Sequence, residues 1–368
     1  MAVASSCYLW RSRKQPSNAN PPPVTILKPL KGHERGLYEN LLSFFRQDYP
    51  HFQILFAATR VDDPALAVVS KLRREFPSLD IGLVISDRRI GFNPKVNNLA
   101  NLSPLIKHEL ILLSDSDARV MPDFLRRMAA TFEDPQVGAA TCFFHSAVRG
   151  GLWGRLESLA VNSYFLPQAA VAMALGVRFA MGAATMIRWK AFEQAGGFQS
   201  LAQHLADDYK LGEAIQEAGW RLELADCAAE TQPRDGRGLE HFRHQVRWQS
   251  MVRLCHPMGY LSAALLSHGF PWLVLSMLWS GPDMASLKLA ALILAAKASA
   301  TVLIAARLGC RPPWRALILL PISECFLWSS WMAGWRCQKV FWRGQLYQLG
   351  EQGGLEPALN ATPAVVEP

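Results

Sequence analysis

Charge is what this chain is short of. Asp, Glu, Lys and Arg make up 18% of its 368 residues against 50% hydrophobic ones, more apolar than a typical soluble enzyme. The shortage is local: charge density is ordinary from Val24 to Arg253, charges almost vanish from Gly259 to Trp335, and Gly259 to Gly281 holds none. A uniformly soluble chain does not account for such a segment. Basic runs are missing too. The net charge is +8, yet no Lys/Arg tract follows a phosphate backbone, which argues against a nucleic-acid partner. Basic residues gather instead beside apolar segments: Arg11, Arg13 and Lys14; Arg243, Arg247 and Arg253; Arg307, Arg311 and Arg315; Arg336, Lys339 and Arg343. That placement suits cytoplasmic flanks of membrane segments, where each charge is worth ~1 kcal/mol against anionic lipid. Patterned cysteine is absent as well. The seven cysteines are odd in number and none forms a CxxC pair, which leaves no disulfide framework or zinc signature and fits buried thiols in a reducing compartment.

What is present, between Val24 and Leu113, is alternation. Val24 to Leu27, Phe52 to Thr59, Ile81 to Ile85 and Glu109 to Leu113 read as short apolar strands. Between them, Leu37, Leu41, Leu42 and Phe45 form one helical stripe, and Leu66, Val69, Leu72 and Phe76 form another behind Pro64. A further helix is expected over Lys95 to Ile106. This order predicts an α/β domain with a mostly parallel, doubly wound sheet, whose ligands bind beyond the carboxyl ends of its strands. Asp62, Asp63, Lys95 and the tetrad Ser114 to Asp117 all follow strand ends, so they should share one rim. Within the tetrad, Asp115 and Asp117 are spaced to face the same ligand. Two carboxylates are what Mg²⁺ typically takes from a protein when phosphate and water complete its shell. An isolated pair of this kind is also compatible with a solvated acidic turn.

The motifs, taken in order, resemble the ceramide glucosyltransferase family of inverting, membrane-bound GT-A enzymes, and its bacterial hopanoid-associated branch. They are Lys28-Pro-Leu-Lys-Gly32, Gln47-Asp-Tyr-Pro50, Asp62-Asp-Pro64, Gly91-Phe-Asn-Pro-Lys-Val-Asn-Asn98, Asp115-Ser-Asp117 with Arg119-Val120, Ala206-Asp-Asp-Tyr209, Arg247-Trp248 and Pro321 to Phe326. Where the family signature has Gln or Arg three residues before Arg247, this chain has His244. His244, Leu205 to Tyr209 and Gly151-Leu-Trp153 resemble the hopanoid-associated branch, whereas Gly91 to Lys95 and Pro321 to Phe326 resemble the ceramide branch. Each motif alone is weak; their common order across most of the chain is specific.

The resemblance implies transfer of a hexose, glucose or N-acetylglucosamine, from a UDP-sugar to a lipid hydroxyl. It implies Asp208 as the base, with Arg247 and Trp248 beside it in the catalytic set. Donor contacts are expected from Lys28, Asp63, Lys95, Asn97, Asp115, Asp207 and His244. A divalent metal, Mg²⁺ or Mn²⁺, is expected on Asp115 and Asp117. Simple helix caps are the competing reading for Asp62 or Asp63 and for Asp207 or Asp208. The rival functions are a processive polysaccharide synthase and a non-catalytic nucleotide-binding membrane protein. The first usually carries a QxxRW glutamine and more spans; the second predicts the loss of an acidic motif, and none is missing.

Domain boundaries follow the charge. Residues 1–23 are expected to be a membrane-anchor remnant and linker, because Met1 to Trp10 is too short to span and family members begin with a transmembrane helix. Residues 24–255 are the expected GT-A domain, 256–345 membrane-embedded helices and 346–368 a polar tail. Gly259 to Gly281 is long enough to cross ~30 Å of hydrocarbon. Ala285 to Ala306 carries Lys288 and Lys297, and Trp314 to Trp335 carries Pro321 and Glu324, which suggests a re-entrant or interfacial segment. A multi-pass protein with its catalytic domain in the cytoplasm is the resulting expectation.

Overall fold

A computed structural model describes residues 20–32, 34–233, 238–310, 313–342, 345–350 and 353–357. The expected anchor remnant, Cys7, Arg11, Arg13, Lys14, Arg311 and Arg343 lie outside the described residues.

Eight strands form one sheet: β1 (Val24–Pro29), β2 (Phe52–Ala58), β3 (Asp80–Ile85), β4 (Leu110–Ser114), β5 (Ala118–Arg119), β6 (Val137–Ser146), β7 (Ala184–Arg188) and β8 (Arg221–Thr231). Their order is β3-β2-β1-β4-β7-β6-β8-β5. The four strands β3, β2, β1 and β4 are mutually parallel, β7 runs antiparallel to both β4 and β6, and β8 is parallel to β6. Alternation along the central strands divides the core. Ile26, Phe56 and Leu112 face one side with the stripe Leu37, Leu41 and Phe44, while Leu27, Leu55 and Ile111 face the other with Val96 and Leu99. Both faces are covered, which is why these strands read as unbroken apolar runs. The chain switches direction around β4, so the acidic tetrad leaves the sheet at a topological break.

Beyond β6 a long helix runs through Leu152–Leu159, a π-helical turn Ala160–Phe165, and Leu166–Ala174. Asn162 in that turn clamps the end of β6: it accepts from the Ser146 N–H and donates to the Ser146 carbonyl, both at 2.8 Å.

The apolar half corrects one expectation. Gly259 to Gly281 is not one continuous helix but falls in two, Pro257–Leu266 and Gly269–Ser280, bent by 51° at the break. The helix Met284–Leu308, with mean hydropathy 2.1, is long and apolar enough to cross a membrane by itself. The third segment is split into Trp314–Leu317 and Leu320–Gly334. Two of the charges that interrupt these segments meet: Lys297 pairs with Glu324, which is wholly buried, and Lys297 also donates to the Ser267 carbonyl at 2.7 Å. Each ion neutralises the other, so neither has to reach water from an apolar setting. Outward, Leu265, Leu278, Trp279, Leu292, Trp314 and Ile318 are exposed.

A second difference straddles the expected boundary between the membrane-embedded helices, 256–345, and the polar tail, 346–368. β9 (Lys339–Trp342), β10 (Gln345–Leu349) and β11 (Leu355–Pro357) form an antiparallel sheet. It returns to the α/β domain, where the Leu205 N–H donates to the Gly353 carbonyl at 3.0 Å and the Leu355 N–H to the Gln203 carbonyl at 2.6 Å. Leu205, Val340, Tyr347 and Leu355 make a small core of their own. The sequence hid this because three short strands carry little periodicity, and their apolar partners lie far away in the chain.

Candidate active site

Beyond the carboxyl ends of the central strands lies a cavity of ≈ 330 Å³. Its polar wall carries Lys95, Asp115, Asp117, Asp207 and Asp208; its apolar wall includes Phe144, Val161, Phe165 and Trp248.

The tetrad is held from beneath. Lys28, at the end of β1, is wholly buried and lies 3.4 Å from the centre of the Phe44 ring. Its ammonium donates to Ser114 Oγ at 2.9 Å and to the Asp115 carbonyl at 2.8 Å. Burial holds its pKa well below the usual lysine value, with Asp115, Asp117 and Glu34 pulling the other way. Ser114 Oγ passes the chain on to the Ala183 carbonyl at 2.9 Å, and Ser116 Oγ donates to Glu34 Oε2 at 2.8 Å. Lys28 was expected to touch the donor. Its complete burial corrects that: it positions the turn from which Asp115 and Asp117 project.

Lys95 is aimed by its loop. Asn93 caps the helix Pro94–Asn101, accepting from the N–H groups of Lys95 and Val96, and donates to the His204 carbonyl at 2.8 Å. Asn97 accepts from the N–H groups of Ile90 and Gly91 and donates to the Gly91 carbonyl. Its amide is spent on the loop and only 6% exposed, so Asn97 shapes the site and does not contact a donor as expected. Lys95 then bridges two carboxylates, 2.9 Å from Asp115 Oδ1 and 3.0 Å from Asp207 Oδ2. Burial opposes its charge, but Asp115, Asp207 and Asp208 outweigh it and raise its pKa above the ordinary lysine value.

Asp208 sits in the first turn of the helix Asp207–Glu217, whose N-cap is Ala206, so neither aspartate is the cap. Burial, then the neighbouring Asp207 carboxylate, push the Asp208 carboxyl up to about 6, against Lys95 and the Tyr209 N–H. A carboxylate in that range is suited to accept a proton near neutral pH. Facing it is Gly182, where a Cβ would press on Asp208 and come into ordinary contact with Asp115.

Asp63 is placed elsewhere. Its carboxylate accepts from the Gly32 N–H at 3.0 Å through both oxygens and from the Ala65 N–H at 2.9 Å, tying the loop after β1 to the next helix; it does not line the cavity. Asp62 is exposed and paired with Arg60 at 2.7 Å.

The helix Gly238–Cys255 supplies the remaining wall. His244 lies 5.0 Å from Trp248 between ring centres, and Trp248 is tilted against Phe165 at 6.2 Å. The Arg247 guanidinium lies 6.0 Å from the centre of the Trp342 ring, which reaches the cavity from β9. The lining residues that escaped sequence reasoning include Glu157, Gly182 and Trp342. Only Glu157 left a signal, a lone acid on the apolar stripe of its helix.

No trio of His, Cys, Asp or Glu among the described residues is arranged to hold a metal unaided. The donor chemistry nevertheless fits a hard cation completed by ligand oxygens. Asp115 and Asp117 line one cavity, and Lys95 engages Asp115 through Oδ1 while Oδ2 faces Gly182.

Residues 1–355 match the sequence pattern described as glycosyl transferase family 21. The chain belongs to that family. Ceramide glucosyltransferase 1 of Caenorhabditis elegans is 28% identical over 228 residues, 62% of this chain and 49% of that protein. Ceramide glucosyltransferase 3 of the same organism is 26% identical over 262 residues, 67% of this chain and 57% of that protein. The family 21 chain thus spans about half the length of the curated relatives it matches. Among solved structures, a mannosyltransferase from Pyrobaculum calidifontis in complex with GDP-Man and Mn²⁺ aligns at a TM-score of 0.54. It shares 16% identity and covers 90% of this chain and 92% of that one, a likeness of fold: both have the GT-A architecture.

Proposed function

We propose that this family 21 chain moves a hexose, glucose or N-acetylglucosamine, from a UDP-sugar to a hydroxyl of a membrane lipid, ceramide-like or hopanoid. The observation that carries this reading is one cavity joining two chemistries. Asp208, Lys95 and the Asp115–Asp117 pair share it with an aromatic wall built on the π-helical turn and the helix Gly238–Cys255.

The polar end suits the diphosphate, and Arg247 offers a fixed positive charge to oxygens that grow more negative as the leaving group departs. Asp115 and Asp117 would hold Mg²⁺ or Mn²⁺, which when bound neutralises the diphosphate. Asp208 takes the proton from the acceptor hydroxyl as that oxygen bonds to the anomeric carbon. The bond to UDP breaks on the opposite face, and the departing diphosphate keeps the electron pair. One displacement inverts the anomeric centre and needs no second nucleophile. Phe144, Val161, Phe165 and Trp248 give the acceptor's apolar part a surface beside the helices that favour lipid.

The same reading makes Met284–Leu308 a span and the bent pair Pro257–Leu266 and Gly269–Ser280 a broken one, with the α/β domain, about 24–255, in the cytoplasm. The basic residues Arg253, Arg307 and Arg315 support that orientation.

The test is direct. Membranes containing the protein are incubated with labelled UDP-glucose or UDP-N-acetylglucosamine, and the lipid extract is analysed. A labelled lipid with a β-linked sugar is expected from one donor; label in neither lipid extract would sink the reading.

A further inference from the structure

Beside the aromatic wall the cavity is lined by an acid that the reaction above does not use. Glu157 is 6% exposed, on the helix Leu152–Leu159. Its ion-pair partners among the described residues are two imidazoles: His241 Nδ1 at 3.2 Å from Oε2 and His244 Nδ1 at 3.5 Å from Oε1. The two histidines stand one turn apart on the helix Gly238–Cys255. Their surroundings differ. His241 is packed between the Trp153 and Phe326 rings, at 6.1 and 5.4 Å, while His244 lines the cavity beside Arg247 and Trp248.

Two physical rules bear on this cluster. A carboxylate removed from water keeps its charge only against a compensating one, and the groups within reach of Glu157 that could supply it are the two imidazoles. At 3.5 Å His244 Nδ1 is within ion-pair range of Glu157 Oε1 without a hydrogen bond to it, and a ring with Nδ1 toward a carboxylate has Nε2 turned away from it. A doubly protonated His244 would carry an Nε2–H on the side of the ring away from Glu157, where it could serve the cavity as a donor. Among the other charged groups, Lys95, Asp207, Asp208 and Arg247 line the same cavity as His244. Arg155 is exposed, Glu324 on the adjoining helix is engaged by Lys297, and the helix Pro257–Leu266 carries no charge. Arg247, one turn on, opposes an imidazolium, which makes the Glu157 carboxylate the more necessary.

We propose that Glu157 is a positioning residue that keeps His244 doubly protonated, so that its Nε2–H donates a hydrogen bond to the diphosphate of the bound sugar nucleotide. His244 keeps its proton throughout; the acceptor's proton goes to Asp208. The diphosphate role rests on the function proposed above, whereas the protonation of His244 does not.

The two parts are tested separately on the full-length chain in lipid nanodiscs. Nitrogen NMR of ¹⁵N-histidine protein, with His244→Gln identifying the signal, reads the ring directly. We expect both His244 nitrogens in the imidazolium range at neutral pH, reverting to the neutral form in Glu157→Gln. A neutral His244 in the unaltered protein overturns the proposal without reference to any sugar transfer. Kinetics then test the donation. Glu157→Gln should lower kcat for glycosyl transfer about 10- to 100-fold, the worth of one charge-assisted hydrogen bond, and bring its fall with rising pH to lower pH. In a His244→Gln background, where an amide N–H donates at any pH, Glu157→Gln should cost nothing further. An equal loss in both backgrounds overturns the coupling and leaves Glu157 as a packing residue.

Discussion

Gly182 lies against the Asp208 carboxylate so closely that a Cβ at position 182 would stand 3.0 Å from Asp208 Oδ2. The same Cβ would be 3.8 Å from Asp115 Oδ2, so the absent side chain keeps space between the proposed base and the acidic pair. Gly182→Ala should therefore fold and still turn the carboxylate aside. We expect kcat to fall ~10²-fold, the usual cost of a displaced catalytic group, with little change in Tm. Unchanged kcat would show that the reacting atoms lie elsewhere.

Asp208→Asn keeps shape and removes basicity. We expect kcat to drop by ~10² to 10⁴ while UDP affinity, measured by calorimetry, is retained. The base works only when ionised. With its carboxyl pushed up to about 6, activity should fall as pH drops through that value. Asp207→Asn removes one of the causes of the shift, so the same limb should move to lower pH. A limb that stays in place would detach it from Asp208.

Chelation offers a third measurement. Excess chelator should abolish transfer, and Mg²⁺ or Mn²⁺ should restore it. Asp117→Ala should remain inactive when either ion is returned. Full turnover in chelator would remove the metal from the reaction.

Trp342 comes from a strand that sequence reasoning placed among the membrane-embedded helices 256–345. If its ring steadies Arg247, Trp342→Ala should raise the KM for the nucleotide sugar about 2- to 5-fold, in line with a cation–π contact of ~0.5–1 kcal/mol. An effect on lipid KM alone would place the ring on the acceptor side.

For the membrane, alkaline carbonate should leave the protein in the pellet and detergent should release it, because Met284–Leu308 has the length and apolarity of a span. Release by carbonate would mean that this helix only rests on the surface.

Much of the site was legible in the sequence for a topological reason. Residues that follow parallel strands meet at one edge, and Lys95, Asp115 and Asp117 do share a cavity with Asp207, Asp208, His244, Arg247 and Trp248. What motifs could not convey is whether a polar side chain faces the ligand or the protein. Lys28, Asp63 and Asn97 belong to the same motifs, yet their hydrogen-bonding groups serve the backbone carbonyl of Asp115, the Gly32 N–H and the Gly91 loop. Backbone satisfaction of this kind leaves no periodic trace. Nor could a lone Glu157 disclose two histidines more than eighty residues away. The uncharged run Gly259 to Gly281 showed its apolarity plainly, but the break at Ser267 and His268 depends on packing, with Lys297 reaching the Ser267 carbonyl.

The returning sheet β9 to β11 carries a consequence for biosynthesis. The ribosome makes the proposed base, the acidic pair and Arg247 first, then the apolar helices, and only afterwards the strand that brings Trp342 to the cavity. The wall of the site is therefore completed last, after the lipid-seeking segments have emerged. A chain arrested between these events would hold most of its proposed catalytic side chains in an unfinished cleft, so competence would wait on the last strands to be made.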